Sequence, residues 1–200
     1  MIKLPSELEI NSLIDDLRTF SWEAADVLLY YSKIVKDSKY KSNILENDNS
    51  EDPVTIADLR VNELIIQRIN EKYKDVDWEI LSEENVKIES ENCDFREDWM
   101  WVLDPLDGTK DFIQGTSNYA MHLALNYKKK PYIGIVLIPE KEELWIAYGE
   151  KVWCERRDKY HNKTNLSIKK SLQDMVLVTS KNHRNETLRN IIDKVGFKKV

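Results

Sequence analysis

The stretch Trp101–Phe112, WVLDPLDGTKDF, decides how the rest of the chain is read. The apolar run Trp99–Leu103 stops at two aspartates, Asp104 and Asp107, with Pro105 between them and Gly108–Thr109 behind. By itself this is good turn chemistry, because proline fixes φ and glycine accepts φ > 0. A turn, however, does not need a hydrophobic strand that delivers two carboxylates to its tip. Mg²⁺ is a hard ion that takes oxygen from one or two carboxylates and keeps its other positions for water and substrate phosphate. Asp104 and Asp107, with the Leu106 carbonyl between them, suit two such ions held by one rigid turn. A helix starting at Gly108–Thr109 would aim free N–H groups at a phosphate, and the glycine would let the backbone approach it.

Outward from this motif, the spacing of apolar residues predicts helices over residues 6–35 and 55–73. Thr55-x-x-Asp58 is a capping-box pattern at the start of the second helix. Trp78–Asn85, WEILSEEN, reads as a short strand ending in acids, with Glu83 able to complete the carboxylate set. The polar stretch 36–53 reads as a mobile loop and residues 86–98 as a surface insertion. YAMHLALNY (119–127) and PYIGIVLIP (131–139), joined across three lysines, predict a hairpin, and residues 141–149 and 151–157 continue the antiparallel pattern. His122 falls mid-strand, where packing or one satisfied hydrogen bond is its expected role. Near Thr164 the pattern changes to strands LSI (166–168) and MVLVTS (175–180) and a helix over 185–196. The expected division is residues 1–163 and 164–200.

Composition narrows the class. Two hundred residues, 42% hydrophobic and 33% charged, can bury a sizeable core without covalent staples. A net charge of −6 argues against a polymeric nucleic-acid partner, although a metal ion can reverse the local sign for a small anion. Cys93 and Cys154 lack zinc spacing and form no disulfide framework. Acids interrupt the N-terminal region, and no apolar run approaches membrane-spanning length. A cytoplasmic protein without a membrane partner is the expectation.

WVLDPLDGTKDF, DPVTIAD upstream and ILSEEN between them resemble, in order, the motifs of the inositol monophosphatase superfamily, the lithium-sensitive, Mg²⁺-dependent phosphomonoesterases. The Asp-Gly-Thr-Lys-x-Phe form and the segment VLVTSKNHRNETL are most similar to the 3'(2'),5'-bisphosphate nucleotidases. The resemblance implies an α+β fold, a layered αβαβα sandwich of the sugar-phosphatase type, here with its second sheet incomplete. It implies that Glu83, Asp104, the Leu106 carbonyl and Asp107 hold two or more Mg²⁺ ions, with Li⁺ inhibition. Asp58, Glu83 and Thr109 would be catalytic, Thr109 with Asp58 behind it orienting and deprotonating the attacking water. Asp107, Gly108, Thr109, Ser180 and His183 would contact substrate, expected to be adenosine 3',5'-bisphosphate. Inositol monophosphate is the alternative substrate, and a non-catalytic remnant acting as a binding module is the alternative outside catalysis.

The family pattern continues beyond Val200 with a nucleotide-holding Gly-Ser…Lys segment and a Trp-Asp ligand. The expectation is therefore weaker Mg²⁺ binding and slow or absent turnover by this chain alone, and either a homodimer or a complementary chain as partner.

Overall fold

The computed structural model describes residues 3–37, 45–47, 54–86, 98–157, 159–162, 171, 174, 176, 177, 179 and 185–196. Helix α1 (Ile10–Lys36) starts four residues later than its periodicity predicts, because Pro5–Glu7 forms a separate 3₁₀ turn with Ser6 and Glu7 at positive φ. Its buried positions, among them Leu13, Leu17, Ala24, Leu28 and Val35, recur every three or four residues, which is what one helical face requires. A short ribbon pairs β1 (Leu45–Asn47) with β2 (Val54–Thr55), so part of the stretch read as a loop is extended and paired. Helix α2 (Ile56–Lys72) follows, and its Val61, Ile65 and Ile69 are buried.

The rest of this unit is one seven-stranded sheet in the order β3-β4-β5-β6-β7-β8-β9. Its strands are β3 (Glu79–Ser82), β4 (Trp99–Asp107), β5 (Ala120–Tyr127), β6 (Lys130–Ile138), β7 (Glu143–Tyr148), β8 (Lys151–Arg156) and β9 (Lys159–Asn162). β3 pairs parallel with β4, and every other neighbour is antiparallel. The β5–β6 hairpin turns at Lys128 and Lys129, both in the left-handed region (φ 48° and 64°) that a two-residue turn demands. Short helices α3 (Glu83–Val86) and α4 (Thr109–Ile113) follow β3 and β4.

Strand alternation separates the two faces of the sheet. Trp101, Leu103, Met121, Leu123, Leu125, Ile135, Leu137, Leu144 and Ile146 are all buried in one cluster with the apolar faces of α1 and α2. At about 25 cal/mol per Å² removed from water, each such side chain contributes about 1.5–3 kcal/mol, so this face holds the helices in place. Polar ties fix their angle. Arg18 of α1 forks onto Glu155 of β8 through Nε and Nη2, the latter at 2.8 Å, and Ser32 and Lys36 both reach Glu140 at 2.7 and 2.6 Å.

Contacts divide the chain into two compact units, Met1–Thr164 and Asn165–Val200. The second contains α5 (Glu186–Val195), capped by the Asn185 side chain on the Leu188 N–H and closed by Gly196 at φ +67°. The strand expected over 166–168, most of that over 175–180, the insertion expected over 86–98 except its end residues Val86 and Asp98, and Cys93 lie outside the described residues. Among the described residues, no helix is long and apolar enough to cross a membrane.

Candidate active site

β4 does not stop at Asp104 as its sequence suggests; it runs on to Asp107 through a bulge. Asp104 lies opposite His122 and Asp107 opposite Ala120, so β4 spends one more residue than β5 over this interval. The consequence is one of parity. Residues three apart on a regular strand face opposite sides of the sheet. The extra residue reverses the alternation once and returns Asp107 to the face of Asp104. The two consecutive buried residues Pro105 and Leu106 mark the slip. Proline has no N–H for the ladder, and the Leu106 N–H is taken by Asp104 Oδ1 at 3.1 Å.

Gly108 then turns the chain with φ +88°, caps α4, and packs so closely that a Cβ would lie 2.6 Å from the Asn118 carbonyl oxygen. That glycine places Thr109 back over the bulge. Thr109 Oγ1 lies 3.0 Å from the Leu106 carbonyl and 3.3 Å from Asp58 Oδ1. Asp58 uses its two oxygens differently. Oδ2 accepts the Thr55 N–H at 2.8 Å and a short hydrogen bond from the Thr55 hydroxyl, forming the capping box, while Oδ1 faces Thr109. Asp58 is 2% exposed, and burial pushes its carboxyl up to about 6 against the pull of Thr55, with nearby Glu84 adding to the rise.

Glu83 arrives as the first residue of α3, just past β3, rather than at a strand end. Its position follows from the parallel pairing of Ser82 with Leu103, which brings residue 83 beside Asp104. Asn62 of α2 locks this junction, accepting from Ser82 Oγ at 2.5 Å and donating to Asn85 at 3.4 Å. The sequence reading missed both Asn62 and Ser82; a polar residue on the buried stripe of an amphipathic helix was the available signal.

Asp104 shows how crowded the cluster is. Burial, then the charge and hydrogen bond of Glu83 and the charge of Asp107, push its carboxyl up to about 7. Asp107 lies below the ordinary carboxylate range, chiefly through its hydrogen bond with His122, and His122 lies above the ordinary imidazole range for the reciprocal reason. His122 Nε2 is 3.3 Å from Asp107 Oδ2. The sequence reading gave His122 packing or one satisfied hydrogen bond; it makes the hydrogen bond, and its alternation with buried Met121 and Leu123 puts it on the face of the cluster. Glu83, Asp104 and His122 form the rim of a hollow of about 710 Å³ whose walls include Val136, Trp145 and Val152.

Three carboxylates from two strand ends are a donor set whose chemistry fits divalent cations. As the side chains stand, no three acidic, histidine or cysteine groups among the described residues converge at ligand distance. Asp104 and Asp107 are turned instead toward Glu83 and His122. Ser180 and His183 lie outside the described residues, so the structure does not place them relative to this cluster.

Comparison with known proteins agrees with this architecture. Residues 12–198 match the Inositol monophosphatase family. Among curated relatives, the 3'(2'),5'-bisphosphate nucleotidase CysQ of Buchnera aphidicola (strain APS, from Acyrthosiphon pisum) is 28% identical over 170 residues, covering 84% of this chain and 60% of that protein. The CysQ nucleotidase of Escherichia coli K12 is 26% identical over 191 residues, 92% of this chain and 70% of that protein. Inositol monophosphatase 2 of Solanum lycopersicum is 30% identical over 132 residues, 64% of this chain and 49% of that protein. The chain thus spans 60% of the length of the first of these relatives. The same fold occurs in the inositol monophosphatase-II structure from Staphylococcus aureus MSSA476, with TM-score 0.66 and 19% identity over 92% of this chain and 62% of that one. A staphylococcal IMPase-I complexed with products gives 0.71 and 18% over 96% and 66%.

Proposed function

Because the chain belongs to the inositol monophosphatase family, we propose that its carboxylate cluster hydrolyses phosphomonoesters with divalent metal ions, and that adenosine 3',5'-bisphosphate is the substrate. The observation that carries the reading is the convergence of Glu83, Asp104 and Asp107 at one end of the sheet, with the Asp58–Thr109 pair close by. Glu83, Asp104, the Leu106 carbonyl and Asp107 would hold the ions. When bound, Mg²⁺ ions supply positive charge that acidifies a water and offsets charge on the attacking and leaving oxygens.

The chain's own residues do the positioning and the proton transfer. Thr109 carries one hydroxyl proton, and Asp58 Oδ1 and the Leu106 carbonyl both lie where they can accept it. With that proton directed to Asp58, the lone pairs of Thr109 Oγ1 are left to accept a hydrogen bond from the attacking water. The proton lost by water then passes through Thr109 to Asp58, whose carboxyl at about 6 is suited to a base working near neutral pH. Burial and the capping box hold that carboxylate in one rotamer, so little reorganisation is needed as charge develops. By resemblance, Asp107 and Gly108 are assigned to the phosphoryl group, and Ser180 and His183 to the sugar and second phosphate.

The bisphosphate nucleotide is preferred to inositol phosphate because the CysQ relatives match across more of this chain, although the tomato inositol monophosphatase is slightly more identical over a shorter span. Phosphate release from adenosine 3',5'-bisphosphate, inositol monophosphate and adenosine 2'-monophosphate, with Mg²⁺ and with or without Li⁺, tests both points. The expected result is Mg²⁺-dependent release, fastest from the bisphosphate and lost in Asp107→Asn. Activity untouched by Asp107→Asn refutes the metal assignment, and faster release from inositol monophosphate refutes the substrate.

A further inference from the structure

Thr109 stands on α4 and Asp58 on α2, and their oxygens are 3.3 Å apart, already long for a hydrogen bond between oxygens. A further retreat of about half an ångström would end the contact. Keeping it requires α4 to be registered against the helix layer as well as against the sheet. A set of side chains outside the carboxylate cluster does this.

Glu140, in the 3₁₀ turn after β6, is the centre of that set. Its Oε1 accepts three hydrogen bonds: from Ser32 Oγ at 2.7 Å, Lys36 Nζ at 2.6 Å and the Tyr119 hydroxyl at 3.0 Å. Ser32 and Lys36 lie in the last two turns of α1, whereas Tyr119 ends the loop that leads from α4 into β5. Ser32 and Tyr119 are both buried, so their hydroxyls have no water to turn to. Burial pushes the Glu140 carboxyl up, yet it lies below the ordinary range because Lys36, Ser32 and Tyr119 together outweigh that cost.

From Tyr119 the hold reaches the Gly108–Thr109 turn directly. The Tyr119 ring packs edge-on against buried Phe112, whose N–H closes the first turn of α4 on the Gly108 carbonyl at 2.9 Å. The Asn118 carbonyl, one residue before Tyr119, is the group that crowds Gly108. A second contact runs alongside: Gly115, just past α4, faces the Lys36 stem, its Cβ position 3.6 Å from Cγ. The apolar faces of α1 and α2 share one buried cluster, so a loop tied to α1 is held in the frame that contains Asp58. We propose that Tyr119 and Glu140 are positioning residues for the Asp58–Thr109 pair, Glu140 tying the α4 loop to α1 and Tyr119 passing that hold to the Gly108 turn. The inference rests on the reading of Thr109 and Asp58 as the pair that takes the proton of water; Tyr119 and Glu140 act through them.

The test follows ¹³C and ¹⁵N resonances of the full 200-residue chain at fixed pH without metal, in the wild type and in Tyr119→Phe, Glu140→Ala and Glu140→Gln. Thr109→Val sets the scale, because it removes the hydroxyl that faces Asp58. Tyr119→Phe and Glu140→Ala should move the Asp58 carboxyl resonance in the same direction as Thr109→Val and shift the Gly108 and Thr109 amides. Glu140→Gln retains an acceptor for Tyr119 and should recover most of the wild-type positions. Glu155→Gln, which weakens another polar tie between α1 and the sheet, should leave these signals in place. With adenosine 3',5'-bisphosphate and Mg²⁺, Tyr119→Phe should lower kcat about tenfold and leave KM within about twofold. Far-UV circular dichroism checks folding, and Tyr119→Phe, which keeps the ring on Phe112, is the milder variant. Asp58, Gly108 and Thr109 signals that stay put in Tyr119→Phe and Glu140→Ala, or that move equally in Glu155→Gln, overturn the inference and leave the proposed function standing. A raised KM with unchanged kcat overturns it too. If the wild-type chain releases no phosphate from any phosphomonoester, the proposed function fails, and the resonances still decide whether Glu140 and Tyr119 hold the turn.

Discussion

Replacing Gly108 by alanine tests whether the site is held by the close approach at that turn. Two costs arise in the folded state. The backbone sits at φ +88°, where a Cβ clashes with its own chain, at about 1–2 kcal/mol. The new Cβ also meets the Asn118 carbonyl oxygen at 2.6 Å, well inside ordinary contact. That oxygen cannot easily retreat. The next residue, Tyr119, is 4% exposed, packs edge-on to Phe112 with ring centroids 4.9 Å apart, and hydrogen-bonds Glu140 through its hydroxyl. Overpacking of this kind costs about 1–3 kcal/mol, so the sum is about 3 kcal/mol. Gly149→Ala is the matched control, because it too has positive φ (+59°) but nothing lies within 4 Å of its Cβ position. It should cost only about 1 kcal/mol. Urea unfolding followed by tryptophan fluorescence reads the difference cleanly, since all six tryptophans fall within the first unit. With a slope of about 2 kcal/mol per M, the midpoint should fall by about 1.5 M for Gly108→Ala and about 0.5 M for Gly149→Ala. Equal shifts would refute the claim that the Gly108–Asn118 contact constrains the turn.

Other predictions follow from named contacts. In EDTA, Asp58 should make the chain less stable as pH rises: its folded pKa is raised, from 3.8 to about 6. Its stabilising contribution is therefore full below the unfolded value and lost as pH climbs through about 6. The shift corresponds to about 3 kcal/mol, and Asp58→Asn should flatten the stability profile between pH 4 and 7 by that amount; an unchanged profile would sink the burial argument. Divalent cation should raise the unfolding free energy by about 2.7 kcal/mol at a hundred times its dissociation constant. Asp104→Asn should remove most of that gain, and a gain of the same size in the variant would place the ion elsewhere. Glu155→Gln removes the buried one of the two carboxylates on Arg18, whose side chain is 17% exposed, and leaves it the exposed Asp15, so it should cost about 1–3 kcal/mol in urea unfolding. Glu63→Gln, which breaks the exposed pair with Arg60 on α2, should cost less than about 0.5 kcal/mol.

The helices and the hairpin were legible because one-dimensional patterns decide them. The buried stripe of α1 and the alternation of β5 and β6 are written in residue spacing alone. Even the Lys128–Lys129 turn was found from its flanking strands, since lysine is not a residue that positive φ favours. Asp58 was legible in the same way: Thr55 and Asp58 form a capping box whose spacing is local. The bulge was not. WVLDPLD reads equally as a strand that stops at a turn, and the choice depends on how β4 pairs with β5.

That dependence explains why the sequence named no partner for the hydrogen bond of His122. Its side of the sheet follows from alternation within β5, but its neighbour on that side follows only from register. A shift of one residue would have put Asp104 opposite Leu123 or Met121, and His122 away from the carboxylates. The two omissions are therefore one omission. Carboxylates an odd number of residues apart on a strand can share a face only if the strand contains an inserted residue. Proline between them, which cannot donate to the ladder, was the sequence sign of where that insertion falls. Once the bulge is placed at Pro105–Leu106, the face shared by Asp104 and Asp107 also contains the residue opposite Asp104, and that residue is His122.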